Sequence, residues 1–410
     1  MIVRTFLLAL AFGAATGAWM YLPSVFAVTY SEPTTGALPL ATSTPPAYKA
    51  EIGLHIERPE PLKAIYMSQC VSGTPSFRQE LVDLVDSTEL NAIIIDIRDF
   101  TGKISFPTEN PNLSGMVSDK CGARDMRSFI KTLHEKDIFV IGRITVFQNP
   151  YWSELHPEHA VQHVDGGVWH DRKGLAFVDV GAKPYWESVV ELAKESYAIG
   201  FDEINFDYIR YPSDGVMANA VYSWSEGVSK EKKLEEFYQY LHENLKDTGM
   251  VLSADLFGYT TINNDDLGIG QVLERALPYF DYIYPMVYPS HFNNGFAGLT
   301  SPNDDVYQVI AQSMGPGIAR ALATTTRHAS LVYDAIASTS PQLYQKPAYK
   351  GKVVPWLQDF DYPVPYTPEM VRAQIKATED VGERSYLFWD AGNKYSSLRQ
   401  VLSAQEVVVQ

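Results

Sequence analysis

The sequence lacks the motifs that identify several common classes of enzyme. It contains no glycine-rich phosphate loop, no nucleophile elbow and no Cys/His spacing of the kind that holds zinc. Its nine histidines show no paired metal-ligand spacing, and His156 and His159 are interpreted as a solvent-exposed pair on one face of a helix. A deacetylase or another metal-dependent hydrolase would therefore lack its ligand set, and we expect neither a metal nor an organic cofactor.

Positive charge is also in short supply. The 410 residues include 33 Lys and Arg against 49 Asp and Glu, which gives a formal net charge of −16. This balance argues against the phosphate backbone of a nucleic acid as a partner. Aromatic residues, in contrast, are plentiful, with 25 Tyr, 19 Phe and 7 Trp. They suit a hydrophobic core and the faces of sugars equally, so composition alone does not separate these two uses.

The N-terminal part of the chain has the composition of a targeting segment followed by a linker. Arg4 precedes an apolar run over residues 6–22, and Val25-Phe26-Ala27 has the small residues of a cleavage site. Residues 1–27 are therefore predicted to be a signal peptide or an uncleaved membrane anchor, and either one implies export to the cell envelope or the extracellular space. Residues 28–60 begin with a stretch rich in Ser, Thr, Pro and Ala, which predicts a disordered linker.

Short apolar runs recur eight times along the rest of the chain. Runs this short and continuously apolar are typical of strands buried on both faces of a parallel sheet. The predicted strands are Ala64–Met67, Ala92–Ile97, Phe139–Val146, Glu203–Phe206, Val251–Leu256, Tyr282–Val287, Val353–Leu357 and Tyr386–Trp389. Helical spacing occurs between them at Phe77–Leu84, Met126–Lys136, Glu187–Ile199, Lys232–Lys246, Val306–Met314 and Pro368–Val381. This alternation predicts an α/β fold, a closed (β/α)8 or TIM barrel over residues 61–400.

The two cysteines of the chain are Cys70 and Cys121. Both are expected in loops at the same end of the predicted barrel. An oxidising compartment would permit a disulfide between them, although sequence alone does not fix the Cα separation that such a bridge requires.

Acidic side chains follow neighbouring strands at the end where a barrel places its active site. Residues 200–212 read GFDEINFDYIRYP, and Asp207 directly follows the predicted strand within them. Asp255 lies near the end of the next predicted strand in an apolar setting, which favours its protonated form. Adjacent strands lie ~4.8 Å apart, so the two carboxyl groups could form the pair that glycoside hydrolysis needs. We expect Asp207 as nucleophile and Asp255 as acid/base, with Asp390 and Asp359 as reserve candidates for the acid.

Other strand-end residues are expected to support or bind the substrate. Asp96 and Arg98 alternate on one strand and should point inward with Arg210 as electrostatic support, while aromatic residues should stack on sugar faces. The predicted binding residues are Asp96, Arg98, Tyr208, Arg210, Tyr288, Trp356, Trp389 and Asp390.

The segments that carry these residues resemble the DUF4015 family, a (β/α)8 group to which glycoside hydrolase activity is ascribed by inference. The matching segments are NAIIIDIRDFTGKISF (91–106), GRITVFQNP (142–150), GFDEINFDYIRYPSDG (200–215), SADLFGY (253–259) and DYIYPMVYPSHF (281–292). The resemblance covers roughly residues 62–395 and implies a barrel glycoside hydrolase.

Residues 200–208 also look like the strand signature GFDGIDIDWE of the family-18 chitinases. Asp202 and Asp207 match two of its aspartates, but Asn205 replaces the middle one and Ile209 occupies the position of the catalytic glutamate. This departure argues against chitinase chemistry. An α-amylase-like arrangement, with a nucleophile on the fourth strand and an acid on the fifth, fits better, although Asp255 replaces the usual glutamate.

Together these features predict a glycoside hydrolase that acts on a polysaccharide outside the cytoplasm. The alternative is a non-catalytic envelope protein that binds glycans with the same fold, since a fold does not determine function.

Overall fold

The fold is a closed barrel of eight parallel strands, and the computed structural model describes residues 55–337 and 352–406 of the chain. The strands are β1 (Lys63–Met67), β2 (Ala92–Arg98), β3 (Phe139–Thr145), β4 (Glu203–Asp207), β5 (Val251–Phe257), β6 (Tyr282–Met286), β7 (Trp356–Gln358) and β8 (Tyr386–Trp389). Each strand pairs with its neighbours in the chain, and β1 pairs with β8 to close the barrel. The predicted (β/α)8 fold is confirmed. The predicted signal or anchor segment, residues 1–27, lies outside the described residues, as does most of the predicted linker.

In the part of the chain that the structure describes, seven longer helices accompany the strands. They are α1 (Pro75–Asp86), α2 (Met126–His134), α3 (Lys183–Ile199), α4 (Lys230–Leu245), α5 (Val306–Ala337), α6 (Pro368–Asp380) and α7 (Ser396–Glu406), with short helices at Gln69–Ser72, Pro150–Leu155 and Leu273–Ala276. No helix within the two described ranges is long and apolar enough to cross a membrane.

Alternation along each strand divides its side chains between two hydrophobic layers. Ala92 and Ile94 of β2 pack in the same cluster as Ile141 of β3 inside the barrel, whereas Ile93 and Ile95 belong to the cluster that includes the surrounding helices. Because successive strand residues point to opposite faces, every second residue continues the inward row toward the strand's C-terminal end. This period places the polar residues of the site described below.

Long connections lie over the C-terminal ends of the strands. The insertion after β3 contains a short strand, Gln162–His163, which pairs antiparallel with Ala220–Val221 after β4. Cys70 and Cys121, in the connections after β1 and β2, form a disulfide with their Cα atoms 4.4 Å apart.

The segment immediately before β1 packs against the opposite, N-terminal end of the barrel. The backbone N–H of Ile56 donates to Asp202 at 3.0 Å. Arg58 lies 3.4 Å from the buried carboxylate of Glu203 and 3.5 Å from the ring centroid of Tyr282. The last residues of the predicted linker are therefore ordered against the barrel in this structure.

Candidate active site

The inward rows of four strands end in charged residues at one level of the barrel. Asp96 of β2 is paired in register with Arg143 of β3. Asp207 ends β4, and Asp255 lies on β5 beside it. All four are buried. The alternation of side chains along each strand therefore brings together residues that are distant in the sequence.

Three of these side chains, Arg143, Asp207 and Asp255, lie on the floor of a cavity of about 430 Å³, whereas Asp96 does not line it. Its wall is largely aromatic, which gives a polar floor beneath apolar sides. The lining residues are Arg143, Asp207, Tyr208, Arg210, Asp255, Phe257, Gly258, Tyr259, Met286, Tyr288, His291, Phe292, Trp356, Phe360 and Trp389. Its volume lies within the ~300–1,000 Å³ typical of small-molecule sites.

Arg143 organises the floor by contacting three carboxyl groups. Its Nη1 donates to Asp96 Oδ1 at 2.6 Å, and its Nε and Nη2 both donate to Asp207 Oδ2, the first at 3.0 Å. The same Nε lies 3.8 Å from Asp255 Oδ2. Tyr66 supports the far side by donating to Asp96 Oδ2 at 2.5 Å. Asp96 contacts Arg143 but does not line the cavity, so it is not placed to bind a substrate directly, and its supporting role stays a prediction.

Asp207 accepts hydrogen bonds at both of its carboxyl oxygens. Besides Arg143, the backbone N–H of Tyr208 donates to Asp207 Oδ1 at 2.6 Å. Tyr208 has φ 52°, in the left-handed region that few non-glycine residues adopt. Such backbone conformations concentrate at functional sites, and here the turn aims an N–H at the candidate nucleophile.

Asp255 has a different environment. Burial, together with the negative charge of Asp207, raises the pKa of Asp255 well above its ordinary value, against the opposing effect of Arg143. Its Oδ1 accepts from Asn205 Nδ2 at 2.9 Å and from Trp356 Nε1 at 2.8 Å, while Oδ2 faces Arg143. Burial and the neighbouring Asp207 thus favour the protonated form of the Asp255 carboxyl group.

The predicted aromatic residues line the cavity, but they do not all present a face to it. Trp389 is partly exposed and stacks on Tyr66 with ring centroids 3.9 Å apart. Trp356 is 1 % exposed, and its main contact is the hydrogen bond to Asp255. The pKa of Tyr288 is raised by burial and by the charges of Asp255 and Asp207. The Tyr288 hydroxyl group therefore interacts electrostatically with both aspartates.

Arg210 lies at the edge of the cavity between two aromatic rings. Its guanidinium is 5.0 Å from the ring centroid of Tyr208 and 4.8 Å from that of Phe257. Its Nη1 donates to Tyr211 O at 3.0 Å. Burial lowers the pKa of Arg210, partly offset by Tyr208 and Asp207. The structure therefore places it where the sequence predicted, near Asp207.

Arg98 departs from the predicted position. The pairing of β2 with β3 shifts register between Asp96 and Arg98, which interrupts the alternation that would have turned Arg98 inward. The side chain is fully buried outside the cavity. Its Nε donates to Thr145 O at 3.0 Å, and its guanidinium lies 5.5 Å from the ring centroid of Tyr185 on α3. It is not placed to contact a substrate in the cavity.

Asp390 and Asp359, the reserve candidates, stabilise loops. Asp390 accepts backbone N–H groups from Gly392 at 2.8 Å and from Lys394 at 2.7 Å, so both of its oxygens are engaged by its own turn. Asp359 accepts from the N–H of Leu398 at 3.1 Å. Their predicted or reserve roles at the substrate do not fit these contacts, because neither side chain lines the cavity.

Several lining residues escaped the sequence analysis. Phe257 follows Asp255 by two residues and so shares its face of β5. Strand alternation could therefore have predicted that Phe257 points into the site. Tyr259, Phe292 and Phe360 come from irregular connections, where no periodicity indicates which way a side chain points.

Metal-ligand atoms meet at one place among the described residues, away from this cavity. Ligand atoms of His156, Glu158 and His159 lie within 4.8 Å of one another. Trp152 Nε1 lies 3.3 Å from His159 Nδ1 and donates to it, which puts the proton of a neutral His159 on Nε2, 3.6 Å from Glu158. That tautomer has no lone pair to offer a metal on the Glu158 side, so these residues are poorly arranged to hold an ion.

Comparison with known proteins agrees with this architecture. Residues 64–395 match the family described as "Putative glycosyl hydrolase domain", DUF4015. No curated protein sequence matches the chain. Among solved structures, a hypothetical protein from Ruminiclostridium thermocellum ATCC 27405 is 34 % identical, with 50 % of this chain and 98 % of that chain covered and a TM-score of 0.43.

Two glycosidases share the fold at low sequence identity. The glycoside hydrolase domain of PgaB (BpsB) from Bordetella bronchiseptica is 14 % identical, with 83 % of this chain and 98 % of that chain covered and a TM-score of 0.55. Alpha-L-fucosidase isoenzyme 2 from Paenibacillus thiaminolyticus is 10 % identical, with 84 % and 49 % covered and a TM-score of 0.52. The family match spans nearly the whole barrel, and the chain therefore belongs to the DUF4015 glycosyl hydrolase family.

Proposed function

We propose that this protein hydrolyses the glycosidic bonds of a polysaccharide, with Asp207 as nucleophile and Asp255 as acid/base. One observation carries the proposal: two carboxyl groups lie against the same arginine on the floor of one cavity, and burial raises the pKa of one of them, Asp255. Glycoside hydrolases use a pair of acidic groups, one as a carboxylate and one as a carboxylic acid.

The proximity of the two groups favours a retaining mechanism. Arg143 Nε lies 3.0 Å from Asp207 Oδ2 and 3.8 Å from Asp255 Oδ2, so these two oxygens can be no more than about 6.8 Å apart. Retaining enzymes have carboxyl groups ~5–5.5 Å apart, whereas inverting enzymes need ~6.5–9.5 Å to admit a water.

In the first step, Asp207 attacks the anomeric carbon while Asp255 gives its proton to the departing glycosidic oxygen. The bond to the leaving sugar breaks, and an ester to Asp207 forms. In the second step, a water attacks the same carbon and passes its proton to Asp255, which releases Asp207 as a carboxylate. Arg143 orients Asp207 throughout and is itself held by Asp96.

The wall of the cavity supports a sugar as the bound group. Trp389, Tyr288 and Tyr208 offer aromatic surface above a polar floor, an arrangement that can hold the apolar face of a ring while fixing its hydroxyls. These residues are better placed than Trp356 for the predicted stacking on a sugar, because the Trp356 indole is buried and donates its hydrogen bond to Asp255.

Hydrolysis by matched variants tests the assignment. The soluble chain from residue 50 onward would be screened against cell-wall and storage glycans for new reducing ends. Asp207→Asn should abolish turnover, and Asp255→Asn should lower kcat by about 10²–10⁴-fold, as expected on removing a general acid. Asp119→Asn, at an exposed position, serves as the control and should keep full activity.

Full activity in Asp207→Asn would refute the nucleophile assignment. Calorimetry on the same glycans separates the alternative function, since heat of binding without new reducing ends would identify a glycan-binding protein.

We further propose that the protein acts outside the cytoplasm, either secreted or anchored by residues 1–27. The apolar N-terminal run supports export, and a disulfide between Cys70 and Cys121 is typical of oxidising compartments. Alkaline phosphatase fused after residue 54 should be active in an exporting bacterial host. An inactive fusion that accumulates in the cytoplasm would contradict export.

A further inference from the structure

A second cavity lies beside the first on the C-terminal face of the barrel. Its volume is about 450 Å³, similar to that of the catalytic cavity. It is formed by the connections after β2, β3 and β4, including the insertion over residues 146–182. We call it the outer cavity, and nothing in the proposed reaction uses it.

The two cavities share a wall. Tyr208 and Arg210 line both of them, and Tyr208 directly follows the candidate nucleophile. The two cavities are therefore neighbours, and a ligand that extends from Asp207 over these two side chains would reach the outer cavity. The left-handed backbone of Tyr208 holds this wall at the point where the two spaces meet.

The lining of the outer cavity combines aromatic surface with both donors and acceptors. Phe100 is 55 % exposed, a large fraction for a phenylalanine and one that leaves its ring accessible. Lys173, Gln148 and Asp214 supply polar groups around it. Aromatic surface with a few polar groups around it suits a polyhydroxylated ring.

The charges of the outer cavity balance. Lys173 and Arg210 oppose Asp171 and Asp214 among its lining residues. Asp171 Oδ1 also accepts the backbone N–H groups of Lys173 and Leu175, each at 2.8 Å, which fixes the loop that presents Lys173. A balanced set of charges favours a neutral sugar over an acidic or a cationic one.

We propose that the outer cavity binds a further, uncharged sugar unit of the same chain whose neighbouring unit occupies the catalytic cavity. The preferred substrate is then an oligosaccharide or polysaccharide long enough to fill both spaces. This inference rests on the proposed glycoside hydrolase function and adds a binding site to it.

The test compares a long and a short substrate. The long substrates are cello-, xylo-, manno- and chitohexaose, and the short one is the glycosyl fluoride of whichever sugar is cleaved, which fills the catalytic cavity alone. Phe100→Ala and Lys173→Ala alter the outer cavity. Val164→Ala is the matched control, because Val164 is 59 % exposed in the same insertion and lines neither cavity.

We expect Phe100→Ala to lower kcat/KM for the hexasaccharide by about tenfold, the effect of losing one aromatic contact. Lys173→Ala should act in the same direction, and the glycosyl fluoride should be turned over as by the wild type. Equal effects on both substrates, or none, would overturn the outer site while leaving the hydrolase function intact.

If the wild type cleaves none of the four hexasaccharides, calorimetry with the same compounds tests the outer site by itself. Binding weakened in Phe100→Ala but not in Val164→Ala would support it. Absence of binding, or equal binding by all variants, would overturn it.

Discussion

At the scale of single residues, the site depends on Arg143 more than on either candidate catalytic aspartate. Its side chain is only 7 % exposed, and it contacts Asp96, Asp207 and Asp255. A buried cation that serves three carboxyl groups fixes their positions and limits their mutual repulsion. Removing one member of a buried ion pair leaves the others uncompensated, which is more costly than losing a surface pair.

Arg143→Met should therefore reduce the free energy of unfolding at neutral pH by about 3–5 kcal/mol. The loss should shrink in acid, because burial raises the pKa of Asp96 and a protonated Asp96 no longer leaves an unpaired negative charge. Urea unfolding at pH 7 and pH 5 measures both effects. Lys131→Met, which removes an exposed pair with Glu135, should change stability little. An Arg143→Met protein as stable as the wild type at pH 7 would show that the network is not needed for folding.

Sequence placed side chains correctly where strand alternation is regular. Asp96, Asp207 and Asp255 follow the period of two, and all three lie against Arg143; their roles stay predictions. Arg98 does not, because the register shift after Asp96 lies in the pairing of two strands, and no pattern within one strand reveals it.

At the scale of elements, sequence located the barrel because its strands are short, continuously apolar runs. The least accurate strand is β7, predicted at Val353–Leu357 and observed at Trp356–Gln358; Val353 instead makes an isolated bridge to Ile283. Such an error is expected where a strand has few paired residues. The apolar pattern of the sequence reports burial, and it does not show which of the buried residues pair with a neighbouring strand.

Helix α5 shows how local punctuation can mislead. The sequence GPG at residues 315–317 predicts a helix end, yet α5 continues through Pro316 to Ala337. At Gly317 a Cβ would lie 2.9 Å from Thr261, so the glycine permits a close approach to the neighbouring connection. Tertiary packing explains this glycine, and sequence alone cannot show it.

Helix α7, which the sequence analysis did not predict, is tied to the barrel by Asp359. Burial raises the pKa of Asp359 to about 7, although the N–H of Leu398 opposes the shift. The folded state thus binds this proton more tightly than the unfolded chain, whose aspartates titrate near ~3.9. Asp359 therefore contributes stability at low pH that is lost as the pH rises through about 7.

Asp359→Asn should remove this dependence, since the amide stays neutral. Between pH ~4 and pH 7, wild-type stability should fall relative to the variant by up to ~1.4 kcal/mol per pH unit. Urea unfolding at intervals across this range measures the difference, with Asp119→Asn as an exposed control. Parallel curves for the wild type and Asp359→Asn would contradict the raised pKa.

At the scale of the whole molecule, both ends of the barrel carry buried charged residues. The catalytic floor lies at the C-terminal end, and the segment before β1 packs on the N-terminal end, where Arg58 meets Glu203. Glu203 is fully buried and also accepts from Tyr284 at 2.6 Å. Burial raises the pKa of Glu203, and the charge of Arg58 opposes that shift.

Arg58→Met should destabilise the protein by about 3 kcal/mol, because a buried carboxylate loses its cation. The double variant Arg58→Met/Glu203→Gln should recover part of the loss, since the buried charge is then removed as well. Thermal and urea unfolding of the single and double variants measure the coupling. Arg372→Met, at an exposed pair with Glu369, is the control. Additive losses in the double variant would show that the two residues do not interact.

Titration of the Asp255 carboxyl group tests directly whether the site holds the proposed acid, and it needs no substrate. Protein labelled with carboxyl-¹³C aspartate, with Asp255→Asn used for assignment, gives the titration of this carboxyl group by NMR. We expect Asp255 to titrate well above the ordinary aspartate value of ~3.9. We also expect Asp207→Asn to lower the pKa of Asp255, because it removes a neighbouring negative charge. An Asp255 that titrates at the ordinary value, or that is unaffected by Asp207→Asn, would contradict it.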